Sequence, residues 1–103
     1  MHVLGAALGI PAAGLPVRIE GPPCVGSELA HAVTDRDGRV AFDGGLAEGT
    51  HTLRLATGPW FTSSDRSTFY PEVAVTFAVD PAQRQYHVAL LISPFSYTTY
   101  RGS

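Results

Sequence analysis

Several kinds of residue and segment are scarce in this chain of 103 residues, and each shortage excludes a class of protein. The one cysteine, Cys24, cannot form an intrachain disulfide, which fits a reducing compartment. The longest apolar runs, such as residues 88–92, are far too short to span a bilayer. Seven basic residues against nine acidic ones leave no surplus of positive charge for nucleic acid or an anionic membrane. We therefore expect a soluble, cytoplasmic protein with neither kind of partner.

The familiar catalytic and metal-binding motifs are also missing. The chain contains no His-x₃-His, Cys-x₂-Cys or His-Glu-x₂-His spacing and no Gly-x-Ser-x-Gly nucleophile elbow. Asp35 and Asp37 lack the later glutamate that would complete a calcium loop, so we interpret them as turn residues. No metal or organic cofactor is expected, and a histidine site would have to combine residues that are distant in sequence.

Glycine and proline, by contrast, are plentiful and divide the chain into short segments. Eleven glycines and eight prolines spread along the whole length favour many strands over a few helices. The clearest strand is predicted over residues 72–79, where every second residue is a large hydrophobe; residues 16–20 and 50–57 alternate in the same way. About seven or eight short strands predict one domain, residues 1–103, folded as an antiparallel two-sheet β-sandwich.

The remaining segments complete this prediction. Residues 34–39 form a turn in which Gly38 is free to adopt a positive φ, and short strands are predicted on either side, over residues 30–34 and 40–42. One helical turn is predicted over residues 59–66, with Ser63 or Ser64 as its cap and Pro71 preventing its continuation. Residues 95–101, rich in Tyr, Thr and Phe, predict a last strand.

The strand predicted over residues 85–92 is apolar on both faces. Tyr86, Val88, Leu90 and Ile92 fall on one face, whereas His87, Ala89 and Leu91 fall on the other. The second face is too apolar for a solvated surface, and a domain of this size has no further layer to cover it. We expect another subunit to cover it, which places His87 at an interface.

Histidines and one arginine are the candidates for chemistry. His31 and His51 are interpreted as surface or edge residues, while His2 lies at the start of the first strand and His87 on the predicted interface. From the residues alone a structural role is the default for all of them. Arg39 follows the tight turn, and two interpretations stay open: an exposed strand-end arginine, or a guanidinium that binds a carbonyl or urate-like anion through two parallel hydrogen bonds.

Motifs along the whole chain resemble one family. They are His2-Val3-Leu4, Gly9-x-Pro11-Ala12, Gly14-x-Pro16-Val17, Thr34-Asp35-x-Asp37-Gly38-Arg39, Thr68-Phe69-Tyr70-Pro71-Glu72-Val73, Tyr86-His87-Val88-x-Leu90-Leu91-x-Ser93-Pro94 and Tyr97-x-Thr99-Tyr100-Arg101-Gly102-Ser103. The chain is similar from end to end to the transthyretin-related 5-hydroxyisourate hydrolases. The terminal Tyr100-Arg101-Gly102-Ser103 is the most specific mark, because it distinguishes the hydrolases from the hormone carrier transthyretin.

The resemblance implies a function and a set of site residues. It implies a transthyretin-like sandwich that assembles as a homotetramer, a dimer of dimers, with active sites where the dimers meet. It implies hydrolysis of the cyclic amide of 5-hydroxyisourate without a metal. The implied catalytic residues are His2, Arg39, His87, Tyr100 and Ser103, and the implied substrate-binding residues are Arg39, Arg101 and Gly102.

Four positions differ from the residues usual in this family, namely Gly5, Gln85, Ala89 and Thr98. None of them removes an implied catalytic group. They keep two alternatives open: a diverged homologue acting on another cyclic amide, and a non-catalytic module that binds a small ligand.

Overall fold

The computed structural model of the protein describes residues 2–5, 9–21, 28–41, 48–79 and 87–102. These residues form two sheets of four strands each and one short helix. The elements are β1 His2–Gly5, β2 Ile10–Pro11, β3 Pro16–Glu20, β4 Glu28–Val33, β5 Gly49–Leu55, α1 Thr57–Ser63, β6 Val73–Val79, β7 His87–Ser93 and β8 Ser96–Gly102. The strand order is β2-β1-β7-β8 in the first sheet and β4-β3-β5-β6 in the second. The prediction of a two-sheet β-sandwich with one helix is confirmed.

One pair of strands is parallel, which the sequence pattern does not reveal. β1 lies alongside β7 in the same direction, whereas every other pairing among the described strands is antiparallel. Side chains alternate with the same period in both kinds of pair, so alternation predicts a strand but not the direction of its neighbour. This parallel pair brings the start of the chain beside its last quarter.

The core lies between the sheets and is built from alternate residues of the strands. Leu53 and Leu55 on β5, with Val73 on β6, are buried from the second sheet, and Leu90 and Ile92 on β7 are buried from the first. This confirms the predicted inward faces of these three strands. The two faces meet as interdigitated side chains, the usual core of a sandwich.

The helix begins earlier than predicted because its first turn is anchored to the segment after it. The Gly58 N–H donates to the carbonyl oxygen of Pro71 at 2.8 Å, and Thr57 Oγ1 donates to that of Tyr70 at 2.7 Å. The predicted cap is found at the end of the helix, which comes at Ser63, earlier than predicted. Ser64 is the C-cap, and the hydroxyls of Ser63 and Ser64 donate to carbonyl oxygens of the last turn.

Several predicted strands have different limits in the structure. The strand predicted over residues 50–57 runs from Gly49 to Leu55, because the helix begins at Thr57, and the strand predicted over residues 72–79 begins at Val73. The strand predicted over residues 30–34 begins earlier, at Glu28, and ends at Val33. β7 and β8 each extend one residue beyond their predicted ends, and residues 85 and 86 lie outside the described part of the chain. The strand predicted over residues 40–42 is wrong for Val40 and Ala41, which belong to no strand after a single bridge at Arg39; residue 42 lies outside the described residues.

Ion pairs tie together the outer face of the second sheet. The Glu20 carboxylate accepts hydrogen bonds from Arg54 Nε at 2.7 Å and from Arg18 Nε at 3.3 Å. Arg54 Nη1 also donates to Glu72 Oε1 at 2.6 Å. The hydrogen bond from Arg54 holds the pKa of Glu20 below its usual value, and the Glu20 carboxylate in turn raises the pKa of Arg54.

Candidate active site

The register of the first sheet brings together sequence-predicted site residues from both ends of the chain. His2 on β1 pairs with Ala89 on β7, and Ala89 pairs on its other side with Tyr100 on β8. His87 pairs with Gly102 on β8. Because neighbouring strands lie about 4.8 Å apart, His2, His87, Tyr100 and Gly102 occupy neighbouring positions on three adjacent strands. We call His2, Ala89 and Tyr100 the site row.

Tyr100 and Arg101 lie on opposite faces of the first sheet. Leu90 and Ile92 on β7 point into the core, so Ala89 and its partner Tyr100 lie on the outer face. Tyr100 is 55% exposed. Arg101 pairs with Val88, which packs against the core, so Arg101 belongs to the inner face. The terminal motif therefore presents its residues alternately to two different surfaces; Ser103 lies outside the described residues.

Arg101 lines a cavity at one side of the sandwich, between β6 and β8. The cavity has a volume of about 290 Å³ and is walled by apolar side chains, including Val75, Phe77 and Val88, together with Thr99. Arg101 is exposed and supplies the positive charge among these lining residues.

Arg39 follows a turn whose main chain is held by one carboxylate. Asp35 Oδ1 accepts the N–H groups of Asp37 at 2.8 Å and Arg39 at 3.0 Å. The Gly38 N–H donates to the Asp35 carbonyl oxygen at 2.9 Å, and Gly38 has a φ of 74°. This confirms the predicted turn and its positive φ. The main chain at Arg39 is thus fixed while its side chain is exposed.

The same turn is anchored to the body of the sandwich at its start and its end. The buried Thr34 hydroxyl accepts the Leu15 N–H at 2.9 Å and donates to the Ala12 carbonyl oxygen at 2.6 Å. Val40, just after Arg39, is part of the core. Arg39 nevertheless follows β4, the edge strand of the second sheet, so it belongs to a different element from the site row.

The other two histidines have unlike surroundings. His31 on β4 is exposed, as predicted. The prediction that His51 is a surface or edge residue is wrong, because it is fully buried on the inner face of β5, where it pairs with Phe77. Its Nδ1 lies 3.3 Å from the Gly49 carbonyl oxygen, and its Nε2 has no hydrogen-bond partner among the described residues. Its alternation with Leu53 and Leu55 along β5 is the sequence signal for this burial.

In the described part of the chain, no group of three or more His, Cys, Asp or Glu residues is arranged to hold a metal ion. None of its helices is long and apolar enough to cross a membrane.

Comparison with known proteins places the chain in a family. The sequence profile of the HIUase/Transthyretin family matches residues 1–102. The chain is 39% identical over 108 residues to the 5-hydroxyisourate hydrolase of Mus musculus, a match that covers 99% of this chain and 92% of that protein. The chain belongs to the HIUase/Transthyretin family.

Solved structures show that the fold is also that of the HIUase/Transthyretin family. The Klebsiella pneumoniae 5-hydroxyisourate hydrolase has a TM-score of 0.88 at 32% identity, covering 99% of this chain and 95% of that one. Sea bream transthyretin in complex with thyroxine has a TM-score of 0.89 at 27% identity, covering 98% and 91%. The predicted transthyretin-like sandwich is thereby confirmed.

One residue beside the site row was not among the predicted site residues. Thr99 Oγ1 donates to the carbonyl oxygen of Ala89 at 3.0 Å, next to the pairs that Ala89 makes with His2 and Tyr100. The sequence signal for it is a polar residue on the inner face of a strand, where alternation alone favours a hydrophobe.

Proposed function

We propose that this protein hydrolyses 5-hydroxyisourate, opening its cyclic amide to give 2-oxo-4-hydroxy-4-carboxy-5-ureidoimidazoline in urate degradation. The main support is the match over 99% of the chain to a protein named 5-hydroxyisourate hydrolase. The register adds a chemical reason, because it sets His2 and His87 on adjacent strands. Histidine titrates near neutral pH and is the commonest general acid or base in enzymes.

The reaction requires a base for water and a proton for the leaving nitrogen. Water attacks the C6 carbonyl, the bond between C6 and N1 breaks, and N1 leaves with a proton. We assign the base to His87, because its strand β7 is paired on both sides, by β1 and β8. His2 then orients the water or protonates the leaving nitrogen. Positioned proton transfer typically contributes ~10²–10⁴ in rate.

The remaining residues stabilise charge and hold the ring. Arg39 stabilises the oxyanion that forms at the attacked carbonyl, a role suited to a guanidinium on a fixed main chain. Arg101 and Gly102 hold the substrate. Arg101 lies on the inner side of β8, the edge strand of the first sheet, and its side chain reaches the substrate ring around the edge of the sheet. The hydroxyl of Tyr100 or Ser103 fixes the water or the ring.

We also infer a homotetramer whose active sites lie at the interface between dimers. Large apolar side chains border the first sheet in the single chain: Ile10 on β2 is 52% exposed, and Phe95 in the β7–β8 turn is 69% exposed. Exposed apolar surface of this kind is typical of interfaces. Light scattering during gel filtration is expected to give the mass of four chains, and a fully active monomer would contradict the shared site.

We propose that residues 1–103 form one cytoplasmic domain that needs no metal or organic cofactor. Water, two histidines and two arginines account for every step, so prolonged dialysis against a chelator should leave the rate unchanged. A loss of activity that added metal restores would overturn this part of the proposal.

A non-catalytic ligand-binding module is the second candidate. The observation that favours it is the TM-score of 0.89 to sea bream transthyretin, whose structure was solved in complex with thyroxine. A diverged hydrolase acting on another cyclic amide is a third, because Gly5, Gln85, Ala89 and Thr98 differ from the usual residues of the hydrolases.

The test is an assay with freshly made 5-hydroxyisourate. Urate oxidase generates the compound, and its ultraviolet absorbance is followed with and without this protein. The compound also hydrolyses unaided, so the measured quantity is the acceleration over the blank. We expect a strong, concentration-dependent acceleration. No acceleration by folded protein would favour the other candidates, and measured binding of an apolar ligand without turnover would select the binding module.

A further inference from the structure

The hydroxyl of Thr99 ties β8 to β7 beside the site row. Thr99 on β8 pairs with Leu90 on β7, but its Oγ1 donates to the carbonyl oxygen of Ala89, the residue before Leu90, at 3.0 Å. This side-chain bond comes in addition to the main-chain ladder that joins the two strands.

Ala89 is the residue through which the site row is connected. It pairs with His2 on one side and Tyr100 on the other, and it follows His87 by two residues. It is only 6% exposed, so its surroundings are largely shielded from water. A hydrogen bond in such surroundings is electrostatically stronger than one in water. A small displacement of Ala89 would shift both of its neighbours relative to His87.

The hydroxyl of Thr99 is used within the sheet although the residue is exposed. Thr99 borders the cavity beside Val75 and Val88, so its hydroxyl could be left to water. It donates instead to the Ala89 carbonyl oxygen. The Thr99 side chain projects from the opposite face of β8 from that of Tyr100.

We propose that Thr99 is a positioning residue: by holding the Ala89 carbonyl, it fixes His2 and Tyr100 in relation to His87. This inference rests on the proposed hydrolase function. It predicts an effect on the chemical step more than on substrate binding, because the Thr99 hydroxyl is engaged in a hydrogen bond within the sheet.

The kinetic test replaces Thr99 by valine and then by serine. Thr99→Val is expected to lower kcat for 5-hydroxyisourate by about tenfold, with KM changed by less than about twofold, since small misplacements at a site are costly in rate. Thr99→Ser keeps the hydroxyl and should recover most of kcat. The matched control is Thr76→Val, which removes the 2.9 Å hydroxyl contact between Thr52 and Thr76 in the second sheet and should leave kcat unchanged.

A second readout does not depend on activity. The imidazole signals of His2, assigned by NMR with a His2→Gln variant, should move in Thr99→Val and stay in place in Thr76→Val. If the wild-type protein fails to hydrolyse 5-hydroxyisourate, the proposed function fails, and the NMR comparison still tests the positioning role. Unmoved His2 signals together with kcat values equal in the two valine variants would overturn the inference.

Discussion

The outer faces of the two sheets differ, although both sheets pack against one core. On the second sheet, Glu20 accepts from Arg18 and Arg54, and Arg54 also donates to Glu72, so charged side chains satisfy one another across β3, β5 and the residue that precedes β6. On the first sheet, the outer face carries the site row, with a small residue, Ala89, beside the exposed Tyr100. The second sheet is tied together by its side chains, whereas the outer face of the first is where we propose that the substrate binds.

From this difference we infer that the second sheet contributes mainly to stability and the outer face of the first sheet to the proposed chemistry. Substitutions on the outer face of the first sheet should change the rate and leave the fold intact. Substitutions on the second sheet and beside the helix should lower stability and leave the rate of the folded protein unchanged.

The largest effect is expected at His2, at the start of β1. His2→Ala should lower kcat for 5-hydroxyisourate by ~10²–10⁴ with little change in melting temperature, because a positioned proton donor or acceptor is lost. His31→Ala, an exposed histidine of the second sheet, is the matched control and should keep wild-type turnover. Equal rates in the two variants would contradict the assignment of the chemistry to the first sheet.

Arg39 is the exception to this assignment, because it follows a strand of the second sheet and is nevertheless proposed to take part in the chemistry. Arg39→Ala should lower kcat by about 10²-fold, the usual cost of losing an oxyanion-stabilising group. Arg39→Lys should recover little, since an ammonium cannot form two parallel hydrogen bonds. The control Arg36→Ala changes an exposed arginine of the same turn. If both alanine variants keep full activity, Arg39 is an exposed strand-end residue only.

Gly58 tests stability without chemistry. A Cβ at this residue would lie 2.9 Å from the carbonyl oxygen of Pro71 and 3.0 Å from its Cα, so the helix start would have to move. Gly58→Ala should destabilise the protein by roughly 1–3 kcal/mol in a denaturant titration, with kcat of the folded protein unchanged. Thr62→Ala, at an exposed residue of the same helix, should change stability by less than about 0.5 kcal/mol. Equal stability of the two variants would contradict the close approach.

The smallest effect is expected from Glu20 and depends on pH. Because Arg54 holds the pKa of Glu20 below its ordinary value of 4.5, the folded protein binds the proton less readily than the unfolded chain. The stabilisation is therefore fully present above pH 4.5 and is lost as the pH falls through the lowered value. Glu20→Gln should have a lower melting temperature than wild type at neutral pH, and the difference should shrink in acid. A difference that is independent of pH, or as small as that of Glu48→Gln, would contradict the ion-pair account.

Much of the fold follows from local patterns in the sequence. Alternation identified β3, β5 and β6 with their inward faces, because a strand with one buried face must place a hydrophobe at every second residue. It also predicted the core face of β7, now seen at Leu90 and Ile92. What alternation could not supply is the neighbour of each strand, and the parallel pairing of β1 with β7 is the clearest case.

The candidate site depends on which strands are neighbours, and alternation does not show this. His2 and His87 lie far apart in sequence, and only the register shows that Ala89 lies between His2 and Tyr100. The burial of His51, by contrast, follows from its alternation with Leu53 and Leu55, the pattern that predicts the inner face of β5. Contacts between strands, such as the hydrogen bond from Thr99 to Ala89, are only weakly indicated by the sequence.

We propose that the face of the first sheet bearing the site row performs the hydrolysis, and His87→Ala is the decisive variant. The acceleration of 5-hydroxyisourate decay over the blank is measured for this variant and for wild type at equal concentrations, with the assembly state of each checked by light scattering. We expect strong acceleration by wild type and its near-complete loss in an equally assembled variant. Wild-type acceleration by His87→Ala would contradict the proposed site.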